Sequence, residues 1–265
     1  MADRVLRFGV LGLSRGFVLM RPAFLADPRF RLVAAADPRP EARAAFEAEF
    51  DARAHASAEA LCADPDVEAV YVATPHQLHA EHAVMAARAG KHVLVEKPMA
   101  LDLAGCQAMT EAAAAAGVRL VVGPSHSFDA PIARAAELIA SGDFGARRMI
   151  TALNYTDFLY RPRRPDELDA AAGGGVVFSQ AAHQVDVVRR LAGAPVVAVR
   201  AQTGAWDPGR PADGAYQAFL TFANGAAATL SYSGYGRYDS DVLMDWFGET
   251  GRIRPPAPYA QASPS

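Results

Sequence analysis

The chain has 265 residues, 51% hydrophobic and 21% charged, with a net charge of −3. That length supports one large or two modest domains, and the composition is ordinary for a globular protein. With no basic block, a nucleic-acid or anionic-membrane partner is not expected. The alanine-rich apolar stretches are broken by charges well short of the roughly 20 residues a membrane span needs.

Residues 1–7 run directly into a strand and lack the shape of a signal peptide. Cys62 and Cys106 fall in predicted helices with no CxxC or Cys/His cluster. Buried thiols are therefore expected, with neither a disulfide nor a metal site. These features predict a reducing, cytoplasmic setting.

In chain order, the apolar run 7–11 ends in Gly12-Leu13-Ser14-Arg15-Gly16-Phe17. This reads as a strand, a tight turn and a helix to about residue 26, closed by Asp27-Pro28. A strand at 30–36 ends at Asp37, and proline opens a helix at 40–50. A short strand at 53–55, a short helix at 57–62 and a turn at 64–66 follow. The strand 69–73 stops at Thr74-Pro75-His76, a helix spans 77–89, and Gly90 ends it. Val93-Leu94-Val95 is a buried strand stopped by Glu96-Lys97-Pro98, because proline has no N–H to give a sheet. Asp102 caps a long helix to Gly117, and 118–122 is the next strand.

Short apolar strands alternating with helices predict a parallel sheet with right-handed crossovers. The rhythm changes after about residue 124. A helix at 130–140 leads to a long strand at 147–156 and a Pro/Arg-rich loop at 160–165. Gly173-Gly174-Gly175 precedes a helix at 177–191. Strands at 196–203, 215–222 and 226–233 then follow without intervening helices, and Asn224-Gly225 reads as a two-residue hairpin turn. The fold class is thus α/β: a doubly wound Rossmann unit over 1–123, an α+β unit with a mostly antiparallel open sheet over 124–250, and an irregular tail over 251–265.

Gly9, Gly12 and Gly16 surround the first strand-to-helix turn, where backbone N–H groups can approach a pyrophosphate at a helix N-terminus. The spacing is a degraded G-x-S-x-G, with Ser14 where a second glycine is usual. The same letters spell a nucleophile elbow, but without triad support and on the first strand. Gly12, Ser14, Arg15, Gly16 and Phe17 are accordingly candidate cofactor contacts. Asp37 ends the second strand about 25 residues after Gly12, where an acid binds the adenine ribose hydroxyls. It favours NAD. Arg39 is a counter-signal that would accept NADP, or else a solvated helix-start residue. Thr74, Pro75, His79, Glu96 and Lys97 complete the expected cofactor set.

Lys97 sits where open α/β sheets bind ligands, and it could move a proton or polarise a carbonyl; a surface lysine is the plain alternative. His183 and Asp186 share a helix face and could orient an imidazole, or form a surface pair. Ser179 lies one turn earlier. His126, between Ser125 and Ser127, follows a strand end where pocket residues collect. Tyr160, Arg161, Arg163 and Arg164 form the one dense basic patch, suited to a small anionic substrate through bidentate forks. The other reading is a loop paired with Asp166 and Glu167.

By Glu96-Lys97-Pro98 the chain resembles the Gfo/Idh/MocA oxidoreductase family. The glycine turn, Asp37, Ala73-Thr74-Pro75 with His79, 89–93 leading into Glu96-Lys97-Pro98, and the triple glycine followed by His183 and Asp186 occur in the family's order. The resemblance implies a Rossmann domain followed by an α/β domain whose open sheet mediates homo-oligomerisation. It also implies a cis Lys97-Pro98 bond, hydride transfer between nicotinamide and a carbinol or carbonyl carbon, Lys97 as the catalytic lysine and His183 as its partner. An aspartate usually stands where Ser179 does, so proton handling would fall to Lys97 and His183. Relatives also continue past the 248–251 turn with further strands, so the last strands are expected to be missing. The stretches 125–129 and 158–165 look most like the 4,5-dihydroxyphthalate dehydrogenase branch, which oxidises a cis-dihydrodiol of phthalate. A sugar or inositol dehydrogenase and a catalytically silent NAD-binding protein are the alternatives.

Overall fold

The computed structural model describes residues 4–248 and 253–255. It divides into two units that meet in sequence at Gly123 and Pro124, and each is described by itself.

The first unit is a parallel sheet of strands β1 (Leu6–Leu11), β2 (Phe30–Ala36), β3 (Arg53–His55), β4 (Ala69–Val72), β5 (His92–Val95) and β6 (Leu120–Val122). Their spatial order is β3-β2-β1-β4-β5-β6. The chain order reverses between β1 and β4, and in such sheets the crevice at the carboxyl ends of those strands takes the ligand. Helices α1 (Arg15–Ala26), α2 (Pro40–Phe50), α3 (Ala58–Cys62), α4 (His79–Arg88) and α5 (Leu103–Ala116) cross between strands.

Strand alternation splits the core into two layers. Leu11, Val70, Val72, Val93 and Val95 pack with Leu61, Ala83, Ala86 and Met109. Phe8, Val10 and Tyr71 pack with Phe17, Phe24 and Phe46. Each fully buried large side chain contributes about 1.5–3 kcal/mol. Cys62 belongs to the first layer, and burial pushes its thiol up to about 11. Strand β6 is shorter than its apolar run because the N–H of Val118 is tied to the α5 carbonyl of Ala113 (3.0 Å). The predicted helix 77–89 starts with a 3-10 turn, His76–Leu78, before α4.

The second unit contains α6 (Ala130–Ser141), β7 (Met149–Tyr155), α7 (Ala182–Ala192), β8 (Val196–Gly204), β9 (Ala215–Phe222) and β10 (Ala227–Ser233). The sheet order is β7-β10-β9-β8. The pairs β8/β9 and β9/β10 are antiparallel, while β10 and β7 run parallel. One face buries Leu220, Phe222, Leu230 and Tyr232 with Val188 and Ala192 of α7.

Two local expectations are corrected. The hairpin loop has three residues rather than two, because Phe222 pairs with Ala226 and Gly225 takes φ +81°. The predicted helix 177–191 opens as a π turn, Val177–Ala181, before α7 begins. Most of the expected irregular tail lies outside the described residues. Within it, Ile253 bridges to Phe247, and the Arg254 guanidinium pairs with Asp239 and Asp241, both at 2.6 Å. None of the described helices is long and apolar enough to cross a membrane.

Candidate functional site

The turn after β1 is shaped by close packing. Gly12 has φ +91°, and a Cβ there would lie 2.8 Å from the Ala73 carbonyl oxygen. Only glycine combines that conformation with that approach. Ser14 is the N-cap of α1 in extended backbone, yet its side chain makes no cap hydrogen bond and the first turn holds no acid. The first N–H groups of α1 have no partner inside the helix, and they sit at the positive end of its dipole. This uncapped cradle fits a dinucleotide pyrophosphate. Arg15 is exposed, whereas Phe17 is buried against Phe46 and Phe50, so only its backbone faces the turn.

Asp37 is buried at the end of β2. Its carboxylate accepts from the Leu13 N–H, the Arg39 N–H and the Arg39 side chain Nε and Nη2, each at 2.9 Å. Burial pushes its pKa up, but these hydrogen bonds outweigh burial and hold it below the ordinary value. The acid is therefore charged, and Arg39 already grips it.

Thr74, half-buried, and Pro75, exposed, follow β4 on the same rim. Thr74 Oγ1 lies 3.1 Å from His82 Nδ1. His79 departs from expectation. It is wholly buried, with Nδ1 2.7 Å from the Pro98 carbonyl oxygen and Nε2 2.9 Å from that of Thr74. Both ring nitrogens face backbone carbonyls, and the His76 ring lies edge-on at 5.6 Å.

Glu96 and Lys97 follow β5, and Lys97-Pro98 is cis, as the resemblance implied. Both are half-buried at the rim. The sequence contains two lysines, Lys91 and Lys97. Lys91 is held by the carbonyls of Asp64 and Val67 at 2.9 and 2.7 Å, which leaves Lys97 as the lysine at the carboxyl end of the sheet. The sequence reading passed over Tyr71. Its hydroxyl lies 2.5 Å from Glu96 Oε1 and 3.2 Å from the Gly16 carbonyl oxygen, while Glu96 Oε2 accepts from the Lys97 N–H at 3.3 Å. Burial, then the charge of Glu96, pushes the phenol pKa up. The chain of contacts runs from the glycine turn to the lysine. The available signal was a tyrosine in an otherwise aliphatic strand, since a buried phenol needs a partner.

In the second unit His183, on the first turn of α7, is buried, and the ring of His126 stacks on it at 3.8 Å and 14°. His126 is thus a stacking partner of His183. Arg190, two turns along α7, donates to the Ser127 carbonyl and lies 5.4 Å from the Phe128 ring, pinning the turn that carries His126. Ser179 sits on the π turn ahead of His183, and such turns often occur at functional sites.

The arginine loop is largely self-paired. Arg161 Nε donates to Asp157 at 2.7 Å, and Arg164 makes two bonds to Asp166 at 3.1 and 3.0 Å. Arg163 has a 4% exposed side chain, pairs with Glu167 at 3.3 Å and lies 3.7 Å from the Phe158 ring centroid. Of the two readings of this loop, the one that pairs it with Asp166 and Glu167 matches these contacts, and Arg163 is an internal strut. Tyr160 donates to Asp207 at 3.0 Å.

Comparison with known proteins agrees with these units. Residues 6–124 match the GFO_IDH_MocA model, described as "Oxidoreductase family, NAD-binding Rossmann fold", and residues 132–254 match the GFO/IDH/MocA C-terminal domain. A 1-carboxy-3-chloro-3,4-dihydroxycyclohexa-1,5-diene dehydrogenase of Comamonas testosteroni is 55% identical over 94% of this chain, which spans 63% of that relative's length. A Bordetella bronchiseptica RB50 structure assigned as a dehydrogenase superposes with TM-score 0.92 at 42% identity, over 97% of this chain and 68% of the other. The WlbA dehydrogenase of Bordetella pertussis, in complex with NADH and UDP-GlcNAcA, gives TM-score 0.76 at 32% identity over 88% of this chain and 68% of the other. Sheet order, the glycine cradle, Asp37 and both domain matches lead to one conclusion: the chain belongs to the Gfo/Idh/MocA oxidoreductase family, with an NAD-binding Rossmann fold as its first unit.

Proposed function

We propose that this protein is an NAD-dependent dehydrogenase acting on a cis-dihydrodiol of a carboxylated ring, with a phthalate-type dihydrodiol as the specific substrate. The carrying observation is the position of Lys97: at the end of β5, beside the β1/β4 crevice, and linked through Glu96 and Tyr71 to the glycine turn. Similarity to a dehydrogenase named for a carboxylated cyclohexadiene diol supports the substrate class.

Gly12, Ser14, Arg15, Gly16 and Phe17 hold the pyrophosphate through backbone N–H groups; Thr74, Pro75 and Glu96 line the same rim. Bound there, the nicotinamide supplies a hydride acceptor. Lys97 takes the carbinol O–H proton as the C–H electron pair leaves as hydride. The resulting hydroxy ketone is an isomer of the catechol and enolises to it, the ring carbon giving up its proton and the ketone oxygen gaining one, so rearomatisation makes the oxidation downhill. His183, with His126 stacked on it, serves as the second proton group. Ser179, being neutral, contributes a hydrogen bond. Tyr160, Arg161 and Arg164 are the second unit's groups suited to a carboxylate, with Arg163 holding their loop in place. Asp37 selects NAD, and Arg39 admits NADP by turning from Asp37 to a 2′-phosphate. The outward face of the second sheet, where Met149, Leu153 and Phe219 stand exposed, serves self-association.

The pairing of Arg163 and Arg164 inside their own loop favours a second reading, a sugar or inositol substrate. An assay of NAD and NADP reduction with dihydrodiols of phthalate and benzoate, beside myo-inositol and glucose, separates the two. The proposal expects kcat/KM at least about 100-fold higher for a carboxylated dihydrodiol, the size of one lost charge-assisted contact to a buried site. Preference for the polyols would contradict it. Binding of NAD without turnover of any substrate would instead mark a silent NAD-binding protein.

A further inference from the structure

Backbone pairing between β4 and β5 stops at the rim. Val72 pairs with Val95, and the Glu96 N–H to the Val72 carbonyl (2.9 Å) is the next bond. Beyond it the two chains part, and Pro98 has no N–H to offer. The ring of His79 lies at this point, wholly buried, 2.7 Å from the Pro98 carbonyl oxygen and 2.9 Å from that of Thr74. We propose that His79 is a positioning residue for Lys97: its side chain ties the segment after β5 to the segment after β4 where main-chain pairing has ended, and so fixes the backbone from which the lysine reaches the reacting centre.

The inference rests on the reading of Lys97 as the proton-transfer group. Lys97 is braced on both flanks. The Glu96 carboxylate holds its N–H, with Tyr71 and the glycine turn behind, and His79 holds the carbonyl of the next residue. A long lysine side chain has many rotors, so the precision of its amine depends on a fixed Cα. A neutral imidazole has one N–H, and the shorter contact assigns it to Pro98. Burial lowers the pKa of His79 despite both carbonyls and Glu96, and the charge of Lys97 acts in the same direction as burial.

Asparagine places its amide near Nδ1, and glutamine places its amide near Nε2. His79→Asn therefore keeps the tie to Pro98, His79→Gln loses it and puts its amide at the Thr74 carbonyl instead, and His79→Leu has no donor for either. The expected result is a kcat at least about tenfold lower in the Gln and Leu variants and within about threefold of wild type in the Asn variant, with NADH affinity by fluorescence within about twofold throughout. Tyr71→Phe removes one oxygen from the other brace and should lower kcat several-fold at unchanged NADH affinity, which keeps the idea testable if the His79 variants fail to fold. Because the chain has two lysines, reductive 13C-methylation gives a Lys97 resonance that reports independently of turnover. It should shift in the Gln and Leu variants and stay near wild type in the Asn variant. Equal kcat and an unmoved Lys97 resonance in all three variants would overturn the positioning role, as would a loss of NADH affinity that tracks kcat. Full activity in Lys97→Met would instead overturn the reading of Lys97, and the inference with it.

Discussion

Asp37 serves two partners. Its position at the end of β2 suits the ribose of NAD, yet its oxygens are taken by the Leu13 N–H and by Arg39. Under the proposed function a ribose hydroxyl would displace the guanidinium, and the displaced Arg39 would be at hand for a 2′-phosphate. Arg39→Ala should raise the KM for NADP by roughly tenfold or more, the worth of a charge-assisted contact, and leave that for NAD unchanged or lower. Equal effects on both cofactors in steady-state kinetics would contradict this. The acid was legible in the sequence because its place after the second strand is fixed by topology. Its grip by Arg39 was not, since a residue two positions on can point either way. His79 was misjudged for a similar reason: spacing places it beside the Thr74-Pro75 turn but does not say that its ring faces inward.

The arginine loop shows how a patch read from sequence becomes an element with internal roles. Residues 160–164 stand close in the chain, so sequence alone gives them one shared purpose. Folding separates them. Arg163 is buried against Phe158 and Glu167, while Arg161 and Arg164 remain partly exposed at 35% and 56%. Gly174 packs under this loop, where a Cβ would lie 2.6 Å from the Glu167 carbonyl oxygen. Arg163→Ala should therefore destabilise the protein by about 2 kcal/mol or more, read by urea unfolding, through loss of a desolvated cation–π contact and an ion pair. Arg164→Ala should leave stability within about 0.5 kcal/mol and raise the KM for a carboxylated substrate. The reverse pattern would place substrate recognition at Arg163. The π turn before α7 and the three-residue hairpin also escaped the sequence, because both differ from the regular alternatives by a single backbone residue.

Taken as a whole, the molecule was most legible where periodicity and topology agree. Alternating β and α segments left few choices for the first sheet, and order β3-β2-β1-β4-β5-β6 followed. The parallel pairing of β10 with β7 was not foreseeable, since neighbours far apart in sequence leave no local signal. Burial lowers the pKa of both His79 and His82 in the folded first unit. Above the ordinary histidine value, about 6.5, both states are neutral there and pH has no leverage through these rings. Below it the unfolded chain binds protons that the folded chain refuses, so stability falls as pH drops through that value toward the lower folded values. Urea midpoints should be level between pH 8 and 7 and decline between pH 6.5 and 5, and a flat profile would contradict buried neutral rings. The most direct measurement compares wild type with Lys97→Met, following NADH formation from a carboxylated dihydrodiol alongside NADH binding. The expected result is binding within about twofold and a kcat lower by about 100-fold or more, the usual contribution of a positioned proton acceptor; unchanged turnover in the variant would contradict the assignment of proton transfer to Lys97.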